Sequence, residues 1–207
     1  MVPAWLQSHL KEEGLDRIEA SVRKAEKRTR GEIVPMVVRQ SASTGHVALT
    51  ASALFLAGAY AGGLELSRAH LPWGHWAWLP LDLLVAALVG AFLARFALIR
   101  RWLTPQHARA RASYLRAKAA FYERGLDRTK GATGILLFIS LEDRQAVVLA
   151  DKAIATRLPK ETWDVLCEMI LRGARQKDLA NGFQAAIAQC ASILEKDFPA
   201  RPKDKDE

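Results

Sequence analysis

The sequence predicts an α/β fold, a sheet of three or four strands covered by helices, interrupted by a two-helix transmembrane hairpin. Three observations predict it. Apolar residues concentrate in the middle third of a 207-residue chain whose overall hydrophobic share, 50%, is ordinary for a globular protein. Short β-branched runs stand on both sides of that middle. So do stretches whose apolar residues recur every three or four positions, the spacing of a helix with one buried face.

In chain order, Met1 to Leu10 has no charged start followed by an apolar run, so it does not read as a signal peptide. Leu15, Ile18, Val22 and Ala25 then mark an amphipathic helix ending near Thr29, with Gly31 as its stop. Ile33, Val34, Met36, Val37 and Val38 follow as a strand, and Pro35 confines that strand to an edge or a bulge.

Val47 to Leu64 carries no charge and is rich in Ala, Leu and Gly. At about 18 residues it is near the lower bound for crossing a hydrocarbon core of roughly 30 Å. Glu65 and Arg68 end it. A second apolar run goes from Leu79 to Ile99, with Asp82 near its start and Arg95 close enough to its end to reach the interface. Between them, Ser67 to Trp78 holds Pro72, Gly74, Trp73, Trp76 and Trp78, a turn with an aromatic belt. Ala57, Gly58, Ala61 and Gly62 in one run, and Ala87, Gly90 and Ala94 in the other, form small-residue stripes on which two helices can pack.

Charge sets the orientation. Lys27, Arg28, Arg30 and Arg39 precede the first run; Arg100, Arg101, Arg109, Arg111, Arg116 and Lys118 follow the second; the turn has Arg68. The positive-inside rule places both termini in the cytoplasm and the Trp-rich turn outside. Both flanking segments then share a compartment and can fold together.

Past the membrane, Thr104 to Arg124 reads as a helix opened by a Thr–Pro pair, with Ala108, Ala112, Leu115 and Ala119 along one face and Gly125 at its end. Gly134 to Leu141 and Gln145 to Ala150 are apolar strands joined by a tight turn at Glu142–Asp143–Arg144. Two helices finish the fold. One carries Trp163, Leu166, Cys167, Ile170 and Leu171; the other carries Leu179, Phe183, Ile187, Cys190 and Leu194. The tail from Pro199 is polar and charged, and is expected to be disordered. The organisation is therefore 1–40 and 104–198 as two parts of one domain, 41–103 as the hairpin, and 199–207 as a tail.

The net charge of +8 suggests nucleic acid or an anionic surface. Basic residues flanking apolar runs point to lipid headgroups, and the aromatics that would stack on bases are not interleaved with them beyond Trp102 and Tyr114, so no nucleic acid is expected. Two cysteines cannot build a Cys-type zinc site, and both read as small core residues. No P-loop, GxSxG, HExxH or Cys–His arrangement is present. His70 and His75, flanking the outer turn, read as interfacial polar residues rather than a metal pair.

Glu26-Lys27-Arg28-Thr29-Arg30-Gly31-Glu32-Ile33-Val34 and Gly134-Ile135-Leu136-Leu137-Phe138-Ile139-Ser140-Leu141-Glu142-Asp143-Arg144, with Gly182 and Ala185 in the last helix, resemble the TPM domain family and its subgroup of bacterial membrane proteins. Outside the membrane insertion, the resemblance covers about two thirds of the chain. It implies a TPM-like α/β/α sandwich around a mixed sheet, at the inner membrane of a bacterium. Some plant members are associated with acid phosphatase activity and photosystem repair, and others with membrane-complex assembly. Where secreted and lumenal members have a Gly-x-Gly turn, this chain has Asp151-Lys152-Ala153, without the glycines that let a backbone approach phosphate.

Asp151, Asp143, Glu161 and Asp164 are the acids expected near the C-terminal ends of the strands. Converging, they would take a hard cation such as Ca²⁺ or Mg²⁺, with Asp151 first; apart, they are turn, loop and first-turn helix acids. No catalytic residue and no cofactor is assigned. The leading expectation is a protein-binding or assembly module, with the bilayer and another membrane or peripheral protein as partners. A tethered metal-dependent phosphatase and an anionic-lipid surface sensor are the alternatives.

Overall fold

A computed structural model of the chain describes residues 2–43, 45–62, 78–129 and 131–199. In chain order the elements are α1 (Glu12–Glu26), β1 (Glu32–Val38), α2 (Gly45–Ala61), α3 (Leu79–Leu93), α4 (Ala97–Leu103), α5 (Gln106–Glu123), β2 (Gly134–Ser140), β3 (Gln145–Ala150), α6 (Lys152–Ala155), α7 (Lys160–Arg175) and α8 (Leu179–Asp197). They divide into two compact units, Met1–Ser41 with Ala110–Glu207, and Ala42–Arg109.

The first unit is built on a three-stranded mixed sheet of order β1–β2–β3. β1 runs parallel to β2, with Ile33 opposite Ile135 and Val37 opposite Ile139; β3 returns antiparallel, with Val148 opposite Leu137. The central strand is buried along its whole length, which is why GILLFIS reads as a continuous apolar run rather than an alternating one. β1 is an edge, the position its Pro35 requires.

Side chains alternate between the two faces of the sheet, and helices cover both. Ile33, Ile135, Leu137 and Ile139 share a core with Ile18 of α1, Leu166 and Ile170 of α7, and Phe183, Ile187 and Leu194 of α8. Val34, Met36, Leu136, Phe138, Val147 and Leu149 pack with Ala117, Ala120 and Phe121 of α5 and with Leu126. α7 and α8 cross closely at Gly173 and Gly182, where a Cβ on Gly173 would stand 2.6 Å from the Gly182 Cα.

Several local expectations are corrected. α1 ends at Glu26 rather than near Thr29, and Gly31 answers to packing, since a Cβ there would meet Leu194 Cδ1 at 2.6 Å. The buried face of α5 is Ser113, Ala117, Ala120 and Phe121, while Leu115 and Ala119 point outward. Alanines ring that helix, so their spacing selects no face; Phe121 does. The short α6 carries Ile154 into the core, and Val2, Leu6 and Leu10 join the same core through a turn in which the Leu10 N–H donates to the Leu6 carbonyl at 2.9 Å. Neither has enough length for a period to show.

In the second unit, α2 and α3 form an antiparallel pair. A Cβ on Gly90 would stand 2.5 Å from the Ala48 carbonyl oxygen, and at the opposite end the Tyr60 hydroxyl donates to Asp82 at 3.2 Å. Val47 and Ala51 of α2 are buried, as are Asp82, Ala86 and Gly90 of α3. Of the small residues expected at this contact Gly90 is buried and Ala94 half-buried, whereas Ala57, Gly58, Ala61, Gly62 and Ala87 are exposed. The second apolar run is not one helix: it breaks at 94–96, and α4 leaves α3 at a bend of 106°. Among the described residues no single helix is long and apolar enough to cross a membrane. The Trp73 and Trp76 part of the outer turn, His70, His75 and the tail from 200 lie outside the described residues.

Candidate functional site

The largest chemical anomaly of the described surface is the outside of the α2–α3 pair. Both helices are apolar around their full circumference, and only one stripe of each is used in packing. Leu49, Leu54, Phe55, Leu81, Leu83, Leu84, Leu88 and Phe92 stand exposed, Leu88 at 63%. A soluble protein rarely leaves a contiguous apolar surface of this kind uncovered. The interior of the pair holds the polar group instead, with Asp82 buried beside Tyr60.

The strand ends leading to this pair are tied down by Asp143. Its carboxylate accepts from the Ser41 N–H at 2.6 Å and from the Ser140 hydroxyl at 2.7 Å. Arg39 pairs with Glu142 at 2.6 Å, and the Glu142 N–H donates to the Arg39 carbonyl at 2.9 Å. Arg144 takes a left-handed conformation, φ 52°, that closes the β2–β3 turn. Asp143 therefore fastens the exit of β1, where the chain leaves the α/β unit, to the tip of the hairpin. The signal was present in sequence as an acid three residues beyond Ser140, a spacing at which a carboxylate satisfies local donors.

The topology separates the candidate metal acids. Asp143 lies where β1 and β2 end; Asp151 follows β3, which runs the other way, so it stands at the opposite end of the sheet. Seven residues of β2 at about 3.3 Å each put roughly 20 Å between those ends. Asp151 caps α6, its Oδ1 accepting from the Lys152 N–H at 2.6 Å. Glu161 lies in the first turn of α7, and Asp164 lies on the same helix, close enough to Cys167 to oppose its ionisation. Among the described residues no group of three or more His, Cys, Asp or Glu is placed to hold a metal ion.

Cys167 and Cys190 are free thiols on α7 and α8. Burial pushes Cys167 up to about 11, opposed by a hydrogen bond to the Val148 backbone and aided by Asp164. Burial alone pushes Cys190 up to about 12. Neither is a nucleophile near neutral pH, because the thiolate is the reactive form.

One further surface was not singled out from sequence. Tyr114, Leu115 and Tyr122 stand exposed on α5. Tyr114 and Tyr122, eight residues apart, lie along one side of that helix.

Residues 104–193 match the family model of the TPM domain. The chain is also similar in structure to the BA42 protein of the psychrophilic bacterium Bizionia argentinensis, solved by NMR. That likeness has a TM-score of 0.56 at 20% identity and covers 96% of this chain and 90% of that one. At such identity it speaks for the fold. No curated protein matches the sequence.

Proposed function

We propose, from the premise that this chain carries a TPM domain over residues 104–193, that it is a bilayer-tethered binding module. It serves the assembly or maintenance of a membrane complex at the inner (cytoplasmic) membrane of a bacterium, with both termini in the cytoplasm. The observation that carries this reading is the uncovered apolar surface of α2 and α3. Lipid chains cover such a surface without help from the rest of the protein, whereas water would oppose it at about 25 cal/mol per Å².

Length is the test this reading must meet. The 17 residues of α2 and the 15 of α3 reach about 25 and 22 Å at 1.5 Å per residue, short of a core of roughly 30 Å. Local thinning of the bilayer and the snorkelling of flanking side chains accommodate a deficit of that size at a modest cost. In sequence the first apolar run continues past α2 to Leu64, where Glu65 ends it.

Binding rather than catalysis is favoured because the acids sit at opposite ends of the sheet and both thiols are held protonated. Tyr114, Leu115 and Tyr122 offer the kind of exposed aromatic and aliphatic face that protein interfaces use. The test is co-purification of the full chain after gentle solubilisation of its native membrane. A protein partner retained by the wild type and lost with Tyr114→Ala and Tyr122→Ala together supports the reading. Absence of any partner from the wild type sinks it.

A further inference from the structure

The break in the second apolar run has a geometry of its own. α4 leaves α3 at 106°, so if α3 follows the bilayer normal, α4 lies within about 20° of the membrane plane. Its sequence, ALIRRWL, suits that plane. At 100° per residue, Leu98, Ile99, Trp102 and Leu103, with Phe96 just before the helix, fall on one arc of about 160°. Arg100 and Arg101 fall on the other side, with Ala97 between them. Leu98 and Trp102, one turn apart, are exposed, Trp102 at 84%.

We infer that α4 is an interfacial helix lying on an anionic lipid surface. Leu98 and Trp102 dip into the boundary between headgroups and acyl chains, and Arg95 and Arg101 meet lipid phosphates. Three features point to lipid as the occupant. The helix follows the apolar pair directly in the chain; it combines tryptophan, leucine and arginine as interfacial helices do; and its charge is purely basic, opposite in sign to an anionic leaflet. The inference rests on the membrane reading of α2 and α3 and adds to it a specific contact made by α4.

The experiment places nitroxide labels singly at Leu98→Cys, Arg101→Cys, Trp102→Cys and Leu88→Cys in the full chain. The protein is reconstituted in phosphatidylcholine vesicles with and without phosphatidylglycerol, and the wild type is carried through the same labelling to subtract Cys167 and Cys190. Label depth is read from the ratio of oxygen to nickel-chelate accessibility. The expected result is a deep label at Leu88, labels at Leu98 and Trp102 about 5–10 Å into the interface, and a label at Arg101 several-fold more open to the nickel chelate. The interfacial pattern is expected to strengthen with phosphatidylglycerol. Labels at Leu98 and Trp102 in water while Leu88 is deep would overturn the role of α4 alone. Labels at all four sites at acyl depth would make α3 and α4 one continuous span, also overturning it. Equal depths in the two lipid mixtures would remove the part given to the arginines. A water-exposed Leu88 would overturn the membrane reading itself.

Discussion

α1 and α3 are both fifteen residues long, and they are inside out relative to each other. α1 buries Gly14, Ile18 and Ala25 and turns Glu12, Glu13, Asp16, Arg17, Glu19, Arg23 and Lys24 outward. α3 buries Asp82, Ala86 and Gly90 and turns Leu81, Leu83, Leu84, Leu88 and Phe92 outward. The first helix is held by apolar burial away from water, with about 1.5–3 kcal/mol for each large side chain removed from it. The second has only small residues and one polar pair at its contact, the arrangement of helices that associate where the surroundings are themselves apolar. The two units differ in which kind of residue they turn outward.

The largest effect is expected when the outer face of the pair is made polar. Leu54→Asp together with Leu88→Asp places a carboxylate near the middle of each helix, at about 2.5–3.5 kcal/mol apiece against insertion. The expected outcome is a shift of the chain from the detergent phase to the aqueous phase in cloud-point partition, with the far-UV melting of the α/β unit unchanged.

The same truncation is expected to act differently in the two units. Phe138 is fully buried in the central strand, whereas Phe92 is 57% exposed on α3. Phe138→Ala is expected to cost about 3–5 kcal/mol in denaturant unfolding of the α/β unit. Phe92→Ala is expected to leave that transition where it is.

A smaller effect is expected at the point where the chain leaves the α/β unit. Asp143→Ala strips the Ser41 N–H and the Ser140 hydroxyl of their acceptor, at about 1–3 kcal/mol. Asp143→Asn keeps an acceptor oxygen and should recover part of the loss in the same unfolding assay.

The smallest effect is in pH. The folded chain holds the Cys190 proton to about 12, against an ordinary value of 9.0, so it binds more protons than the unfolded chain between those values. Stability from this source is complete below pH 9 and is lost as pH rises toward 12. At pH 10 the loss is on the order of 1 kcal/mol, and Cys190→Ala should flatten that part of the wild-type decline in urea midpoint.

Elements with a period long enough to count were legible in the residues. Leu179, Phe183, Ile187, Cys190 and Leu194 all lie in the core, and the β2–β3 hairpin closes where Glu142–Asp143–Arg144 stands. Composition without asymmetry was not legible. The alanines of α5 and the small residues of α2 and α3 recur on several sides, so the buried stripes were decided by Phe121 and by Asp82, Ala86 and Gly90. The candidate acids show a different limit. Asp143 and Asp151 are eight positions apart in sequence, but the antiparallel return of β3 sends them to opposite ends of the sheet. Pairing between strands, absent from any single window of sequence, decides whether such groups meet.

In the proposed function, lipid covers the outside of α2 and α3. Alkaline carbonate washing of membranes from cells making the full chain tests it most directly. The chain is expected to stay in the membrane pellet. Release into the supernatant as a monodisperse monomer would contradict it.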